Sequence, residues 1–234
     1  MKRFYKTVST SLTADGYAIL LDGKKILTPM KADCIAPTKS LADHMMQEWA
    51  IQKDDIVTET MPVTQMMMTV IDRITPNRSA FQLQILDYLD TDMICYFADD
   101  PQAYAEQQKE KWTPFLNWNK NHFGIAVEIT TGLTPIKQPE QTHKIIAQHI
   151  EKMNDLEFAT LYLLTMELGS LFMALAFIGG DFTPEQTFEA ALAEDLLKDE
   201  IYLADQYGIS PDQERKRKIL KSELENARLF LSLL

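Results

Sequence analysis

Five carboxylates crowd the stretch EDLLKDEIYLADQYG, from Glu194 to Gly208, beside a single lysine. Acids so close can share a proton for acid–base hydrolysis, ligate a cation, or face another protein. Projected as a helix, Thr187–Tyr207 gathers Phe188, Leu192, Leu196 and Leu203 within a sector of about 80°. Asp195 and Asp199 fall at the edge of that sector or inside it, one turn apart. Like charges in that relation oppose helix formation by a few tenths of a kcal/mol. Glu194, Lys198 and Asp205 project to the far side, with Glu194 and Lys198 spaced for an ion pair. The pattern fits a solvated helix and an acidic strip built beside an apolar one equally well.

Other chemistry finds no constellation. The four histidines are His44, His122, His143 and His149. His143 and His149, six apart on one predicted helix, lie about 240° around its axis and cannot share a metal directly. Cys34 and Cys95 have no close-spaced thiol or histidine, so neither a zinc site nor a disulfide framework is signalled. Ser170, in LGSLF, lacks the second glycine of a nucleophile elbow. GIAVEITTG has neither the spacing nor the lysine of a phosphate loop. KWTPFLNWNKNHFG and MPVTQMMM are rich in aromatic and methionine side chains, which fill cores more often than they form adaptable binding faces.

A net charge of −11 over 234 residues argues against nucleic acid as a partner, because phosphate contacts need a basic surface. The one basic island, ERKRKILK at 214–221, reads as a solvated helix face. Phe158–Ile178 is long enough to cross a bilayer and carries one charge, Glu167. A central carboxylate costs about 3 kcal/mol on insertion, which a dozen apolar residues at about −0.5 kcal/mol each would offset. The flanks EKMNDLE and GGDFTPEQ offer few cations and no aromatic anchors, so the segment reads as the buried central helix of a bundle.

These residues must be positioned by two kinds of structure. ADGYAILLDGKKILTP holds two Asp-Gly pairs ahead of apolar runs, which predicts an antiparallel meander with strands near 6–11, 17–21 and 25–28. TKSLADHMMQEWAIQ then repeats at helical steps. Beyond Thr75, TPNR, DPQA, TPFL, TPEQ and SPDQ set a proline at the first turn of a helix. Thr183 with Gln186 and Ser210 with Gln213 fit capping boxes. The expected helices lie near 76–89, 101–111, 114–122, 140–152, 156–178, 184–207 and 211–233. The predicted fold is α+β: a small antiparallel β-rich N-terminal domain with one helix (1–60), then a larger all-helical domain (61–234) with a buried central helix.

In that order of elements the chain resembles the assembly chaperones of the F-type ATP synthase that hold the free alpha subunit of the catalytic head. RFYK, LDGKKILTP, LADHMMQEWAIQ and MPVT carry the early resemblance. DTDMICYFAD, QKEKWTPFLNW, GLTPIKQPE and LGSLFMALA carry the later one. The resemblance implies a non-enzymatic role: binding new alpha subunit and shielding the surface that later meets beta, with no cofactor, metal, small-molecule substrate or membrane insertion. It also implies a functional acid in the helix after the central one. That acid is Glu194 or, one register on, Asp195; Leu196-Leu197 and Ile201-Tyr202 replace the family's aromatic-glutamine and tryptophan-glycine pairs. With the acidic strip, the partner-binding residues are Glu194, Asp195 and Asp199. Eukaryotic relatives act in mitochondria after import, and a pattern that begins at Arg3 reads instead as a bacterial cytoplasmic protein. The competing expectation is a hydrolase using Asp195 and Asp199, which requires both acids in one polar pocket.

Overall fold

The turn after strand β2 (Gly16–Leu21) is made by Asp22 and Gly23, both at positive φ (49° and 79°), between paired residues Leu21 and Lys24. Asp-Gly suits such a two-residue turn. The preceding turn differs from expectation: its central residues are Ala14 and Asp15, and Gly16 already pairs with Thr13 as the first residue of β2. Glycine is required there because a Cβ would lie 2.4 Å from the Ala36 carbonyl oxygen. The computed structural model describes residues 1–132, 134–201 and 208–234. Leu203 and Asp205, used in the projection above, lie outside them.

Met1–Arg78 with Asn226–Leu234 form one compact unit, and Ser79–Glu225 form a second. In the first, β1 (Val8–Thr13), β3 (Lys24–Lys25) and β4 (Ile35–Ala36) all pair antiparallel with β2 (Gly16–Leu21). Helix α1 (Lys39–Ala50) packs on β1 and β2, burying Leu41, Ala42, Met45 and Trp49. Its cap, Thr38, accepts from the Leu41 amide and donates to the Leu233 carbonyl at 2.6 Å. A helix absent from the expected set, α2 (Pro62–Thr69), follows. Its N-terminal amides of Val63 and Thr64 donate to Glu48 of α1 at 2.8 and 2.7 Å. That carboxylate satisfies two orphan amides and complements the helix dipole. This bond keeps α2 with the first unit, beyond the expected partition at residue 60.

Among the described residues, the regular structure of the second unit is helical apart from a parallel two-residue pairing of β5 (Tyr96–Phe97) with β6 (Thr130–Thr131). A π-helical turn at Val70–Ile74 leads from α2 into α3 (Thr75–Leu86), which spans the boundary between the units. Then come α4 (Gln102–Phe123), α5 (Glu140–Lys152), α6 (Asp155–Leu168), α7 (Leu171–Ile178), α8 (Pro184–Ala191), α9 (Ala193–Ile201) and α10 (Pro211–Ser232). The expected start at Pro114 does not occur. Helix α4 runs through it, with Trp112, Phe115 and Leu116 buried and Pro114 itself exposed. Packing on both sides carries the turn past the missing amide.

The expected single helix 156–178 is two. Gly169 closes α6 in the left-handed conformation (φ 63°), and Ser170 caps α7 by accepting from the Met173 amide at 3.0 Å. Residues 171–177 are all buried, so α7 is the core helix, while α6 exposes Met166 and Glu167. At 14 and 8 residues both fall short of the roughly 20 needed to span a bilayer. No helix among the described residues is long and apolar enough to cross a membrane.

Candidate functional site

The acids of α9 reach their places through a break that local sequence does not announce. Residues 184–207 read as one helix, yet Leu192 leaves helical geometry (φ −107°, ψ 17°) between α8 and α9. The Trp112 indole, 78 residues earlier on α4, donates to the Ala190 carbonyl at 2.8 Å and ties down the end of α8. The break resets the angular register, which changes the fate of each acid.

Glu194 is not turned to a lysine. Its Oε1 accepts from Gln108 Nε2 at 2.6 Å, and Gln108, buried on α4, accepts the Ala98 amide through its own oxygen at 2.6 Å. Glu194, itself exposed, thus ends a chain of hydrogen bonds that starts at the residue after β5. Lys198, expected to pair with Glu194, lies 3.7 Å from Asp195 instead. The Asp195 side chain keeps 43% of its surface exposed, so that pair is loose and screened.

Asp195 lines an open cavity of about 680 Å³. Met93, Met166, Leu192, Ile219 and Leu220 give it apolar lining, and Gln213, Lys216 and Arg217 of α10 add polar groups. Asp199 pairs with Arg217 Nη1 and lines a different depression with Lys111 and Glu189. The structure therefore does not bring Asp195 and Asp199 into one pocket. Nor is the basic island wholly solvated, because Arg217 and Leu220 turn inward while their neighbours are exposed. Arg217 Nε and Nη2 are buried and make no hydrogen bond among the described residues. Gln108 and Arg217 were not foreseeable as site residues. No spacing links Gln108 to Glu194, and Arg217 is recognisable only once Leu220 fixes the inward face of α10.

The histidines and cysteines serve the fold. His143 Nε2 lies 2.9 Å from Asp90. Burial opposes ionisation of that acid but is outweighed by the Gln138 amide and by His143, so its carboxyl sits below the usual range. His122 stacks on Trp118 at 4.3 Å, and His149, held low by burial and then by His122, packs edge-on against Phe123. Both thiols are buried and free; burial, then Asp72, pushes Cys34 up to about 12. Among the described residues no cluster of three acids, histidines or cysteines is placed to hold a metal ion.

Comparison with known proteins gives the surface its context. The family model described as ATP12 chaperone protein matches residues 2–120. The crystal structure of Atp12 from Paracoccus denitrificans superposes with a TM-score of 0.90 at 25% identity, covering 99% of this chain and 97% of that one. A lysine-for-aspartate variant of the Paracoccus protein gives the same values. A candidate chaperone from Agrobacterium tumefaciens is 32% identical with a TM-score of 0.87, covering 99% of this chain and 85% of that one. Both the sequence match and the likeness over nearly the whole length point the same way: the chain belongs to the ATP12 chaperone family.

Proposed function

We propose that the chain is an assembly chaperone of the F-type ATP synthase. It binds free alpha subunit and shields the surface that later meets beta until the catalytic head assembles. Family membership carries this reading. An obligate subunit interface is large and apolar, so an unpaired subunit needs a temporary cover rather than a catalyst. The cavity beside α9 suits exchangeable contacts: apolar lining for a client side chain, with the Asp195 carboxylate and the polar side chains of Gln213 and Lys216 around it. Within that surface Asp195 faces the cavity, Glu194 is exposed but held by Gln108, and Asp199 orients Arg217. Such holding requires no cofactor, metal or small-molecule substrate, and the hydrolase reading loses its basis once the two aspartates face different depressions. A bacterial cytoplasm is the proposed setting, in keeping with bacterial relatives.

The test is a pull-down with separately expressed alpha and beta subunits and no nucleotide. Selective capture of alpha, relieved when beta is added, is the expected result. A correctly folded bait that captures neither subunit would end the reading.

A further inference from the structure

The first 31 residues carry six lysines and arginines against two aspartates, in a chain whose net charge is −11. Exposed apolar side chains gather in the same region. Of the twelve large ones exposed among the described residues, seven lie within residues 1–57. Three of them, Met1, Phe4 and Leu27, meet around one pocket of about 460 Å³. Its floor is Tyr5, Leu21, Ile26 and Trp49, all buried. That floor is fixed: the Tyr5 hydroxyl donates to the Trp49 carbonyl at 2.6 Å, and the Phe4 and Trp49 rings each meet Tyr5 edge-on.

Phe4 is 66% exposed and Leu27 50% exposed beside this aromatic floor. Apolar surface left open next to a preformed apolar pocket marks a place where another chain lies. The rim is basic. Lys25 is shared with Asp33 at 3.1 Å, whereas Lys24 makes no ion pair among the described residues. The single carboxylate in the lining, Asp22, is already engaged by the Lys6 and Thr7 amides and the Thr7 hydroxyl. Those bonds hold Asp22 ionised and turned to the Lys6–Thr7 backbone, while Lys24 is exposed.

We propose that this pocket docks an extended polypeptide segment with an apolar anchor flanked by carboxylates. Resting on the reading of the chain as an alpha-subunit chaperone, the segment is one of the alpha subunit's own. Charge complementarity selects it: in a chain of net charge −11, the lining of this pocket carries two lysines against one aspartate, which favours an acidic segment over a basic one. The anchor supplies the energy of the contact and the rim lysines its encounter rate, which suits a hold that must later be exchanged.

The test measures fluorescence anisotropy of overlapping 15-residue peptides covering the alpha subunit, with the full chain and its Phe4→Ser and Lys24→Glu variants. Both side chains are exposed, and unchanged melting temperatures verify that the variants fold. Peptides joining a Phe, Leu or Met to two or more carboxylates are expected to bind, and each variant to weaken them about tenfold. The Lys24→Glu variant is also expected to lose much of the salt dependence. Variants that bind these peptides like the parent, or a preference for basic peptides, would overturn the pocket while leaving alpha-subunit capture intact. Should the parent capture no alpha subunit at all, the chaperone reading fails separately. The pocket then stands or falls on the designed peptide Asp-Glu-Phe-Leu-Glu-Asp: Lys24-dependent binding supports it, and no binding overturns it.

Discussion

A carboxylate shut away from water must give up its charge or find donors, and Asp92 does some of each. It is fully buried, accepting from the Phe172 amide at 2.9 Å, the Ile94 amide at 3.3 Å, and also the Leu171 amide and Ser170 hydroxyl. It thereby caps α7 from 80 residues away. Burial nevertheless outweighs these bonds and pushes its carboxyl up from 3.8 to about 6. The folded state therefore keeps a proton that the unfolded chain has released. This group's contribution to stability is full below about pH 4 and is lost as pH rises through 6. The loss is on the order of 2–3 kcal/mol. Asp92→Asn should abolish that fall, yet lower stability by about 1–3 kcal/mol where its amide hydrogens meet backbone N–H groups. Urea unfolding of both proteins from pH 4 to 8 checks this. A parent-minus-variant difference that does not change with pH would mean that the carboxyl titrates as it does in water.

At the scale of elements, two glycines bound α7 for different reasons. A Cβ on Gly169 would meet nothing within 4 Å, but its φ of 63° strains any L side chain. Gly169→Ala should cost about 1 kcal/mol from the backbone alone. Gly179 has an ordinary φ of −57°, and there a Cβ would lie 2.2 Å from the Trp118 ring. Gly179→Ala must displace that ring and its bond to Asp181, an overpacking cost of about 1–3 kcal/mol. Thermal melts give both costs. Tryptophan fluorescence should change only in the Gly179 variant, and a change in the Gly169 variant would contradict the backbone account. The Gly169-Ser170 break was available in sequence as a stop signal followed by a cap, masked by the hydropathy on either side. The Asp22-Gly23 turn was legible because its chemistry is local. The break at Leu192 was not, since the indole that pins α8 comes from a distant helix. Helix α2 was hidden because its start depends on a carboxylate of α1 and its methionines draw attention away from Pro62 at its first turn.

Across the whole molecule, the pieces that carry the family resemblance prove to be one another's partners within each unit. LADHMMQEWAIQ reaches MPVT through Glu48, and RFYK reaches the carbonyls of Gln52 and Trp49 through Arg3 and Tyr5. DTDMICYFAD meets LGSLFMALA through Asp92, QKEKWTPFLNW through Gln108 and GLTPIKQPE through Asp90. Those pieces were readable as a pattern because they hold the fold, which is also why they say little about which surface side chains touch a client. The acids of α9 must therefore be separated by experiment, and two charge reversals do so. Glu194→Lys turns an ammonium toward the Gln108 amide and forfeits a hydrogen bond, so stability should fall by about 1 kcal/mol. Asp195→Lys loses only a loose, exposed pair with Lys198, within about 0.5 kcal/mol of neutral. If Asp195 faces the client, its reversal should weaken alpha-subunit binding about tenfold or more at an unchanged melting temperature. The Glu194 reversal should lower the melting temperature and weaken binding by a smaller factor. Titrating alpha subunit against both variants alongside melting curves decides between them. Full affinity in Asp195→Lys would remove that acid from the contact surface, and a larger loss in Glu194→Lys at unchanged stability would transfer the role to Glu194.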